Sequence, residues 1–372
     1  MKKIILVANT AWYIYNFRKL LINDLKNNNF EVILVFPYDK KYSERLKSEG
    51  FKVINWKINR ISINPFNSLS SIFLLYKIYS KEKPDIVNHF TIKPCIYGTV
   101  AAKFLKVDKC INSITGIGSW YENKNPKMQI LLKILDPFLR IIFLGKNIIF
   151  IFQNIYDKEV FFKKKYAKSN NSFLIEGSGV DCNFFKSRKK KKYCKELNIL
   201  FPSRIIKEKG IIELLEACDS VLKDGFNLKI LIAGNIDLGN ISSLSSKHLE
   251  LIKENKNVFL LGHLDDMREA YEESHLVILP SWREGLSRSL IEASSMECPI
   301  VTTDVPGCKD IISHKINGLI VKVRNPNSLE SAIRYAINNY DLAIEFGIKA
   351  RLKAINRYDY RIINKQTIDL FF

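Results

Sequence analysis

Short apolar runs alternate along the chain with longer stretches whose apolar residues recur every three to four positions. The runs at 3–8, 30–36 and 52–56 predict buried strands, and the stretches at about 17–27 and 41–48 predict helices between them. Such alternation is typical of a doubly wound sheet of parallel strands, because each parallel neighbour needs a crossover connection. The residues 9–16 that precede the first helix are predicted to form a loop.

The alternation continues to the C-terminus in two series. Strands at 85–88, 109–114 and 147–152 complete the first series, with a loop predicted at 89–94. A Lys-rich run near Lys190, interpreted as a solvated linker, precedes the second series, which begins with a strand at 198–202 and includes a helix predicted at 308–312.

The length of the chain indicates two domains, since single cores rarely grow beyond roughly 250–300 residues and this chain has 372. We expect Rossmann-like domains at 1–172 and 173–354, with a C-terminal helix at about 355–372 packing back on the first domain. In such a pair a ligand cleft is expected between the two halves, at the carboxyl ends of the strands.

The segment LPSWREGLSRSLIEA, from Leu279 to Ala293, has the most informative pattern. An apolar run ends in Pro-Ser, a polar loop carries Glu284, and a helix starting near Ser287 carries Glu292. The start of a helix offers unpaired N–H groups and a positive dipole end, which suit a phosphate. The simpler interpretation is a capping box over Ser289–Glu292, in which Glu292 bonds back to a backbone N–H.

Two cations stand at a second predicted loop between a strand and a helix. Arg204 and Lys209 follow the strand at 198–202 and precede a helix at 210–224. A guanidinium fork and an ammonium point charge can together hold a diphosphate and stabilise it as it leaves. The alternative is that both are ordinary surface cations.

Composition adds a preference for anionic partners. The chain has 58 Lys and Arg against 38 Asp and Glu, a formal charge of +20, which favours phosphorylated ligands, anionic membranes or nucleic acid. The alternative is that a proteome rich in Lys, Asn and Ile raises the charge. Its 7 Cys show no CxxC spacing and its 5 His no ligand cluster, so neither disulfides nor a metal site are expected. The apolar region 130–152 is interrupted by charges and Pro137, so no transmembrane helix is expected.

Taken in order, these motifs resemble those of the retaining, nucleotide-sugar-dependent GT-B glycosyltransferases of family four. The resemblance in the C-terminal half rests on the Arg204–Gly210 segment, Gly262-His263-Leu264, Glu284 with Glu292, Asp304-Val305-Pro306-Gly307 and Asn317-Gly318-Leu319. The N-terminal half resembles the capsule and O-antigen branch, which includes N-acetylgalactosaminyltransferases of bacterial N-glycan assembly. Its matches are Asn16-Phe17-Arg18, Phe90–Pro94, Thr115–Gly118, Phe152-Gln153-Asn154 and Gly177–Asp181.

The resemblance implies roles for single residues in the C-terminal domain, which would bind the nucleotide sugar. Glu292 would hold the ribose hydroxyls, and Arg204 with Lys209 the diphosphate. Glu284 would face the donor sugar. The remaining donor-binding positions it implies are Gly262, Gly285, Leu286, Ser287 and Ser289.

In the N-terminal domain, which would bind the acceptor, the resemblance is less specific. Arg18 would reach a diphosphate of donor or acceptor across the cleft, with a surface helix residue as the alternative, and Gly116 and Gly118 would line the site. Many relatives carry a His two positions after the strand residue aligned with Asn88. Phe90 stands there in this chain, which leaves His89 as a weaker catalytic candidate than Lys93.

The implied activity is transfer of a hexose or N-acetylhexosamine from a UDP-sugar to a saccharide on a polyprenyl diphosphate. No cofactor or metal is expected, and the protein would be cytoplasmic and peripheral on the inner face of an anionic membrane, through helical stretches near 67–83 and 128–146. The alternative is that the apolar faces of both stretches simply cover the N-terminal sheet. Two alternatives remain open: a UDP-sugar 2-epimerase on the same fold, and a non-enzymatic basic protein that binds membranes or nucleic acid.

Overall fold

A computed structural model describes residues 1–58, 65–117, 126–237 and 242–372. By compactness the chain divides into a first unit, Met1–Gly179 with Tyr360–Phe372, and a second unit, Val180–Asp359. Each unit contains one parallel sheet, of seven strands in the first and six in the second. The predicted α/β class with two doubly wound parallel sheets is therefore confirmed.

The sheet of the first unit has the order β3-β2-β1-β4-β5-β6-β7. Its central strands are apolar on both faces, as strands covered by helices on two sides must be. The strands are β1 Lys3–Val7, β2 Glu31–Phe36, β3 Lys52–Asn55, β4 Ile86–Phe90, β5 Lys109–Ile114, β6 Ile148–Phe152 and β7 Ser172–Leu174.

Helices of the first unit cover both faces of this sheet. The helices are α1 Ala11–Tyr13, α2 Lys19–Asn27, α3 Lys40–Ser48, α4 Pro65–Glu82, α5 Ile92–Phe104, α6 Pro126–Phe143 and α7 Ile155–Lys163, with a π-helix at Ile14–Arg18. One core joins α2 and α3 to the C-terminal residues Ile363, Ile368 and Phe371, and the other joins α4, α5, α6 and α7.

Two loops predicted in the first unit are wrong. The backbone is helical from Ala11, inside the residues 9–16 predicted as a loop, because Thr10 caps the first turn by accepting a hydrogen bond from the Tyr13 N–H. Strand β4 continues through His89 and Phe90, since these residues pair with Asn112 and Ser113 of β5. The helix α5 then begins at Ile92, within the predicted loop 89–94.

The sheet of the second unit has the order β10-β9-β8-β11-β12-β13. Its strands are β8 Glu196–Phe201, β9 Asn227–Ala233, β10 Val258–Gly262, β11 Leu276–Leu279, β12 Ile300–Thr303 and β13 Leu319–Val321. Its helices are α8 Ile211–Lys223, α9 Ser246–Glu254, α10 Arg268–Glu273, α11 Arg288–Ser295, α12 Pro326–Asn338 and α13 Tyr340–Lys353, with a π-helix at Ala354–Tyr358. The last helix of the chain, α14 Tyr360–Asp369, belongs to the first unit.

Two predictions for the second unit are corrected. The residues 308–312 form successive turns rather than a helix; the N–H groups of Lys309 and Ile312 bond to Val305 and Cys308, but the pattern does not continue. The Lys-rich run is exposed to solvent at Arg188, Lys189, Lys190 and Lys192, as predicted. It is not a linker, because it lies inside the second unit, and Lys191 and the backbone of Arg188 and Lys189 are bound to residues of α10.

Candidate functional site

The loops that follow β8 and β11 form the centre of the site. These strands are neighbours in a parallel sheet, so their carboxyl ends lie side by side and the loops that leave them must meet. The first loop carries Arg204 and Lys209 and the second carries Glu284. Strands β9 and β12 flank this pair and contribute the loops after Ala233 and Thr303.

Two glycines allow these loops to approach each other closely. Gly210 has φ +76°, and a Cβ there would lie 2.1 Å from the carbonyl oxygen of Pro280. Gly307 also has φ +76°, and a Cβ there would lie 2.4 Å from the carbonyl oxygen of Gly285. Only glycine satisfies both the left-handed backbone and the close contact, so the sequence brings three loops into direct contact.

Lys209 and Glu284 form the principal contact of the site. Lys209 Nζ lies 2.5 Å from Glu284 Oε1, and their side chains are only 18% and 12% exposed. Ser281 Oγ donates to the same carboxylate oxygen at 2.8 Å. An ion pair so shielded from solvent interacts more strongly than a surface pair, and it fixes both groups at the carboxyl edge of the sheet.

Arg204 lies on the same loop but faces a different carboxylate. Its guanidinium pairs with Asp237 Oδ2 at 2.5 Å, in the segment that follows β9, and its side chain is 53% exposed. The structure therefore brings Lys209 to Glu284, whereas it pairs Arg204 with Asp237 at the surface. A guanidinium this exposed can change partners at little cost, because surface ion pairs are worth at most about 1 kcal/mol.

The start of α11 supplies the backbone donors of the site. Ser287 is the N-cap, its own N–H bonds to the carbonyl of Gly307 at 3.3 Å, and its Oγ lies 3.2 Å from Ser289 Oγ. Gly285 connects Glu284 to this helix, and Leu286 packs against the core of the second unit. The first residue of this eight-residue helix follows Glu284 by only four positions, so the N-terminus of the helix lies near the Lys209–Glu284 pair.

Glu292 does not form the predicted capping box. Its Oε1 accepts from Arg288 Nε at 2.7 Å, and its Oε2 lies 3.2 Å from the hydroxyl of Tyr271. Ser289 lies inside the helix rather than at its N-cap, so Glu292 has no reason to reach back to it. The Glu292 side chain is 11% exposed and forms a polar cluster with Arg288 of α11 and Tyr271 of α10.

The N-terminal candidates lie in the first unit. Arg18 ends the π-helix and is 4% exposed, so the alternative of a surface helix residue is wrong. Its guanidinium donates to the Tyr13 hydroxyl at 3.0 and 2.8 Å and lies 4.4 Å from the centre of the Phe90 ring. A cation over an aromatic face is stabilised by the ring quadrupole, so Phe90 contributes to holding the buried guanidinium of Arg18.

His89 is a structural residue on the opposite face of β4. Its ring is fully buried, with Nε2 2.9 Å from the Tyr79 hydroxyl and Nδ1 2.8 Å from Asn112 Oδ1. Burial lowers the pKa of His89 to about 4, against which the hydrogen bond to Asn112 acts weakly. Successive side chains of a strand face opposite sides, so Phe90 faces Arg18 and His89 faces α4 and α5.

We expect this buried imidazole to make the protein less stable in mild acid. Between pH 6.5 and 4 the unfolded chain binds a proton at His89 that the folded chain does not, so stability falls as pH falls. The loss should total about 3 kcal/mol. Urea unfolding of the wild type and His89→Gln at several pH values measures it. The difference in free energy of unfolding between the wild type and the variant should shrink toward pH 4. If the free energy of both proteins changed in parallel with pH, the lowered pKa of His89 would be wrong.

The remaining predicted positions are less informative. Lys93 lies in the first turn of α5 and is 7% exposed, and burial lowers its pKa. Gly116 follows β5 with φ +135°, and Gly262 ends β10 with φ +66°. Gly118 lies outside the described residues.

Several residues that shape the site were not predicted from the sequence. Ser281 holds Glu284, Asp237 holds Arg204, and Tyr271 and Arg288 hold Glu292. Arg288 could have been found from its i,i+4 spacing to Glu292 on a helix. Ser281 lies three residues before Glu284 in the same loop, where no regular spacing predicts a contact. Asp237 and Tyr271 act between different elements, where sequence spacing carries no signal.

Two family models match the chain, one in each half. The model described as glycosyl transferases group 1 matches residues 183–353, and the model described as glycosyl transferase 4-like matches residues 3–151. The chain is 29% identical to the N,N'-diacetylbacillosaminyl-diphospho-undecaprenol alpha-1,3-N-acetylgalactosaminyltransferase of Campylobacter jejuni, over 96% of this chain and 95% of that protein. It is 27% identical to the capsular polysaccharide biosynthesis glycosyltransferase CapM of Staphylococcus aureus, over 92% of this chain and 90% of that protein.

Solved structures agree in fold along the whole chain. A glycosyltransferase from Rickettsia africae matches with a TM-score of 0.78 at 21% identity, covering 100% of this chain and 97% of that one. HepE from Anabaena, solved with UDP and glucose, matches with a TM-score of 0.80 at 15% identity, covering 100% and 99%. At these identities the likeness establishes the two-domain GT-B fold.

Proposed function

This chain belongs to the GT-B glycosyltransferases with group 1 and 4-like domains, and we propose that it is a retaining enzyme that uses a UDP-sugar donor. Relatives similar over most of the chain act on undecaprenyl-diphosphate-linked saccharides or in capsule synthesis, by name. Transfer to a lipid-linked saccharide in capsule or glycan assembly follows from that similarity. The single observation that carries the donor assignment is the shielded Lys209–Glu284 pair beside the start of α11.

The proposed chemistry places negative charge where the site has positive charge. The bond between the anomeric carbon and the diphosphate oxygen breaks, and Arg204, Lys209 and the start of α11 stabilise the departing diphosphate. The acceptor hydroxyl attacks the same face of the sugar, forming the new glycosidic bond. Its proton passes to the departing phosphate oxygen, so UDP leaves protonated and no nucleophile of the enzyme is consumed.

The remaining donor contacts follow the geometry of the second unit. Glu284 would face the donor sugar, and Lys209 and Ser281 keep its carboxylate in place. Glu292 would bind the ribose hydroxyls. No group of three His, Cys, Asp or Glu side chains in the described ranges is arranged to hold a metal ion. The proposal assigns stabilisation of the leaving group to Arg204, Lys209 and helix N–H groups, and includes no metal.

The donor is tested by thermal unfolding with candidate nucleotides. A ligand bound only by the folded state stabilises it by mass action. UDP and UDP-N-acetylhexosamines at a hundredfold excess over Kd should add about 3 kcal/mol, a shift of several degrees. Stabilisation by GDP or ADP sugars but not by UDP would contradict the proposal that the donor is a UDP-sugar. Stabilisation by DNA fragments alone would favour the alternative of a non-enzymatic protein that binds nucleic acid.

The acceptor side of the proposal includes an anionic membrane surface. The helix α6 exposes an apolar stripe of residues each about 60% exposed, namely Ile130, Ile134, Phe138 and Ile141. Lys133, Arg140 and Lys146 are exposed beside it. Leu69 and Phe73 of α4, which packs on the same face of the sheet, are 63% and 55% exposed. Apolar stripes flanked by cations suit the interface of an anionic bilayer.

None of the described helices is both long and apolar enough to cross a bilayer. The proposal therefore assigns attachment to the surface residues of α4 and α6. It places the enzyme in the cytoplasm, on the inner face of the membrane, with no role for nucleic acid.

We expect Ile134→Asp with Phe138→Asp to reduce flotation with anionic vesicles by tenfold or more, since each buried apolar side chain contributes about 2 kcal/mol. Both side chains are exposed, at 58% and 61%, so the fold should tolerate the change. Ile348→Asp, on an exposed position of α13, is the matched control. Unchanged flotation of the double variant would contradict the proposal that α6 binds the membrane. Equal recovery with neutral vesicles would exclude a contribution of electrostatic attraction to membrane binding.

A further inference from the structure

Lys191 is bound at the C-terminal end of α10. Its ammonium donates to the carbonyl oxygens of Tyr271, Glu272 and Ser274 at 2.5, 2.8 and 2.7 Å. An ammonium has three N–H donors, so every donor meets an acceptor. The C-terminal end of a helix carries partial negative charge, which adds to the attraction.

A second set of contacts fixes the same helix from the side. The carboxylate of Glu272 accepts from the N–H of Arg188 at 3.1 Å, from the N–H of Lys189 at 2.7 Å and from Ser187 Oγ at 2.9 Å. Residues 187–191, called here the basic segment, thus hold both the carbonyls and a side chain of α10. These contacts and the burial of Ala270 and Tyr271 in the core together fix this six-residue helix.

Tyr271 connects α10 to α11 through its hydroxyl. Its side chain is fully buried, and its hydroxyl lies 3.2 Å from Glu292 Oε2 and 3.1 Å from the carbonyl oxygen of Ser289. Burial raises the pKa of Tyr271 well above its usual value, so the hydroxyl keeps its proton at any physiological pH. Its single hydrogen is shared between the Ser289 carbonyl and the Glu292 carboxylate. Arg288 holds the other carboxylate oxygen at 2.7 Å. With one partner on each oxygen, the carboxylate of Glu292 cannot rotate freely.

We propose that Tyr271 is a positioning residue that orients Glu292 toward the ribose hydroxyls. Lys191 maintains this orientation by fixing α10, which carries Tyr271. The inference rests on the proposed function, in which Glu292 binds the ribose. A carboxylate that accepts one bond on each oxygen keeps a lone pair on each, enough for the two hydroxyls of a ribose. Basic residues outside the site would then set nucleotide affinity through α10 and Tyr271.

The test compares UDP with 2',3'-dideoxy-UDP by isothermal titration. In Tyr271→Phe, which removes only the hydroxyl, Kd for UDP should rise about three- to tenfold. Kd for the dideoxy analogue should stay unchanged, because the analogue lacks the hydroxyls that Glu292 binds. A merely structural role of Tyr271 would weaken both ligands equally, and that result, or no change in either, would overturn the inference.

Further variants distinguish an error in the positioning role of Tyr271 from an error in the ribose-binding role of Glu292. Lys191→Ala should show the same selective loss, whereas Lys192→Ala, at an exposed neighbouring position, should bind both ligands as the wild type does. If Glu292→Gln weakens UDP binding and neither Tyr271→Phe nor Lys191→Ala does, the positioning role is wrong and the proposed function stands. If Glu292→Gln leaves UDP binding unchanged, the ribose role of Glu292 is wrong and the inference falls with it.

Discussion

Lys209→Met is expected to lower kcat/KM for sugar transfer by about 10²–10³-fold. The ammonium is the most shielded cation of the donor site, with 18% of its side chain exposed. Charge stabilisation is worth most where water is excluded, and departure of the diphosphate is the step that needs it. Met keeps the length and apolar stem of Lys, so the decrease in kcat/KM measures the contribution of the positive charge.

A matched control uses an exposed pair in the same sheet. Lys229 pairs with Glu196, and both side chains are 41% exposed. Lys229→Met should leave both transfer and the melting temperature nearly unchanged, since exposed pairs contribute little. Lys209→Met should lower the melting temperature by several degrees, because Glu284 loses its partner. If Lys209→Met transferred sugar within threefold of the wild type, the diphosphate role of Lys209 would be wrong.

Glu284→Gln is expected to separate catalysis from nucleotide binding. The substitution removes the carboxylate that faces the donor sugar, so kcat should fall about 10²-fold. It also removes the anion that pairs with Lys209 at 2.5 Å. The ammonium is then free to pair with the diphosphate alone, so Kd for UDP should stay the same or decrease.

Turnover assays and titration with UDP measure the two effects independently. Glu216→Gln, an exposed position on α8, serves as the control and should change neither quantity. A Glu284→Gln variant that binds UDP tenfold more weakly but keeps its kcat would show that Glu284 acts in binding, against the assignment.

The sequence predicted the architecture well because burial periodicity is a local property. Apolar runs bounded by Gly, Pro and Asn gave nearly every strand of both sheets. The errors fell where a side chain or a neighbouring strand decides the backbone. Thr10 starts a helix inside a predicted loop, and β5 extends β4 through Phe90. Neither effect appears in the apolar pattern.

Side-chain partners were harder to predict than the elements that carry them. Lys209 and Glu284 could be assigned to adjacent loops, but their direct contact depends on the approach that Gly210 allows to Pro280. His89 and Phe90 differ by one position, and only the strand register shows which one faces Arg18. Lys191 looked like part of a solvated run, because a charge bound to helix carbonyls has no distinguishing spacing.

The most direct test of the account follows a labelled sugar from UDP-N-acetylhexosamine in the presence of a polyprenyl-diphosphate disaccharide and vesicles. The account predicts one UDP released for each sugar transferred, a lipid-linked product whose new bond keeps the α configuration of the donor, and loss of both in Lys209→Met. Release of a C2-epimerised sugar with no labelled lipid would show an epimerase instead. A product with inverted configuration would contradict the proposed same-face attack.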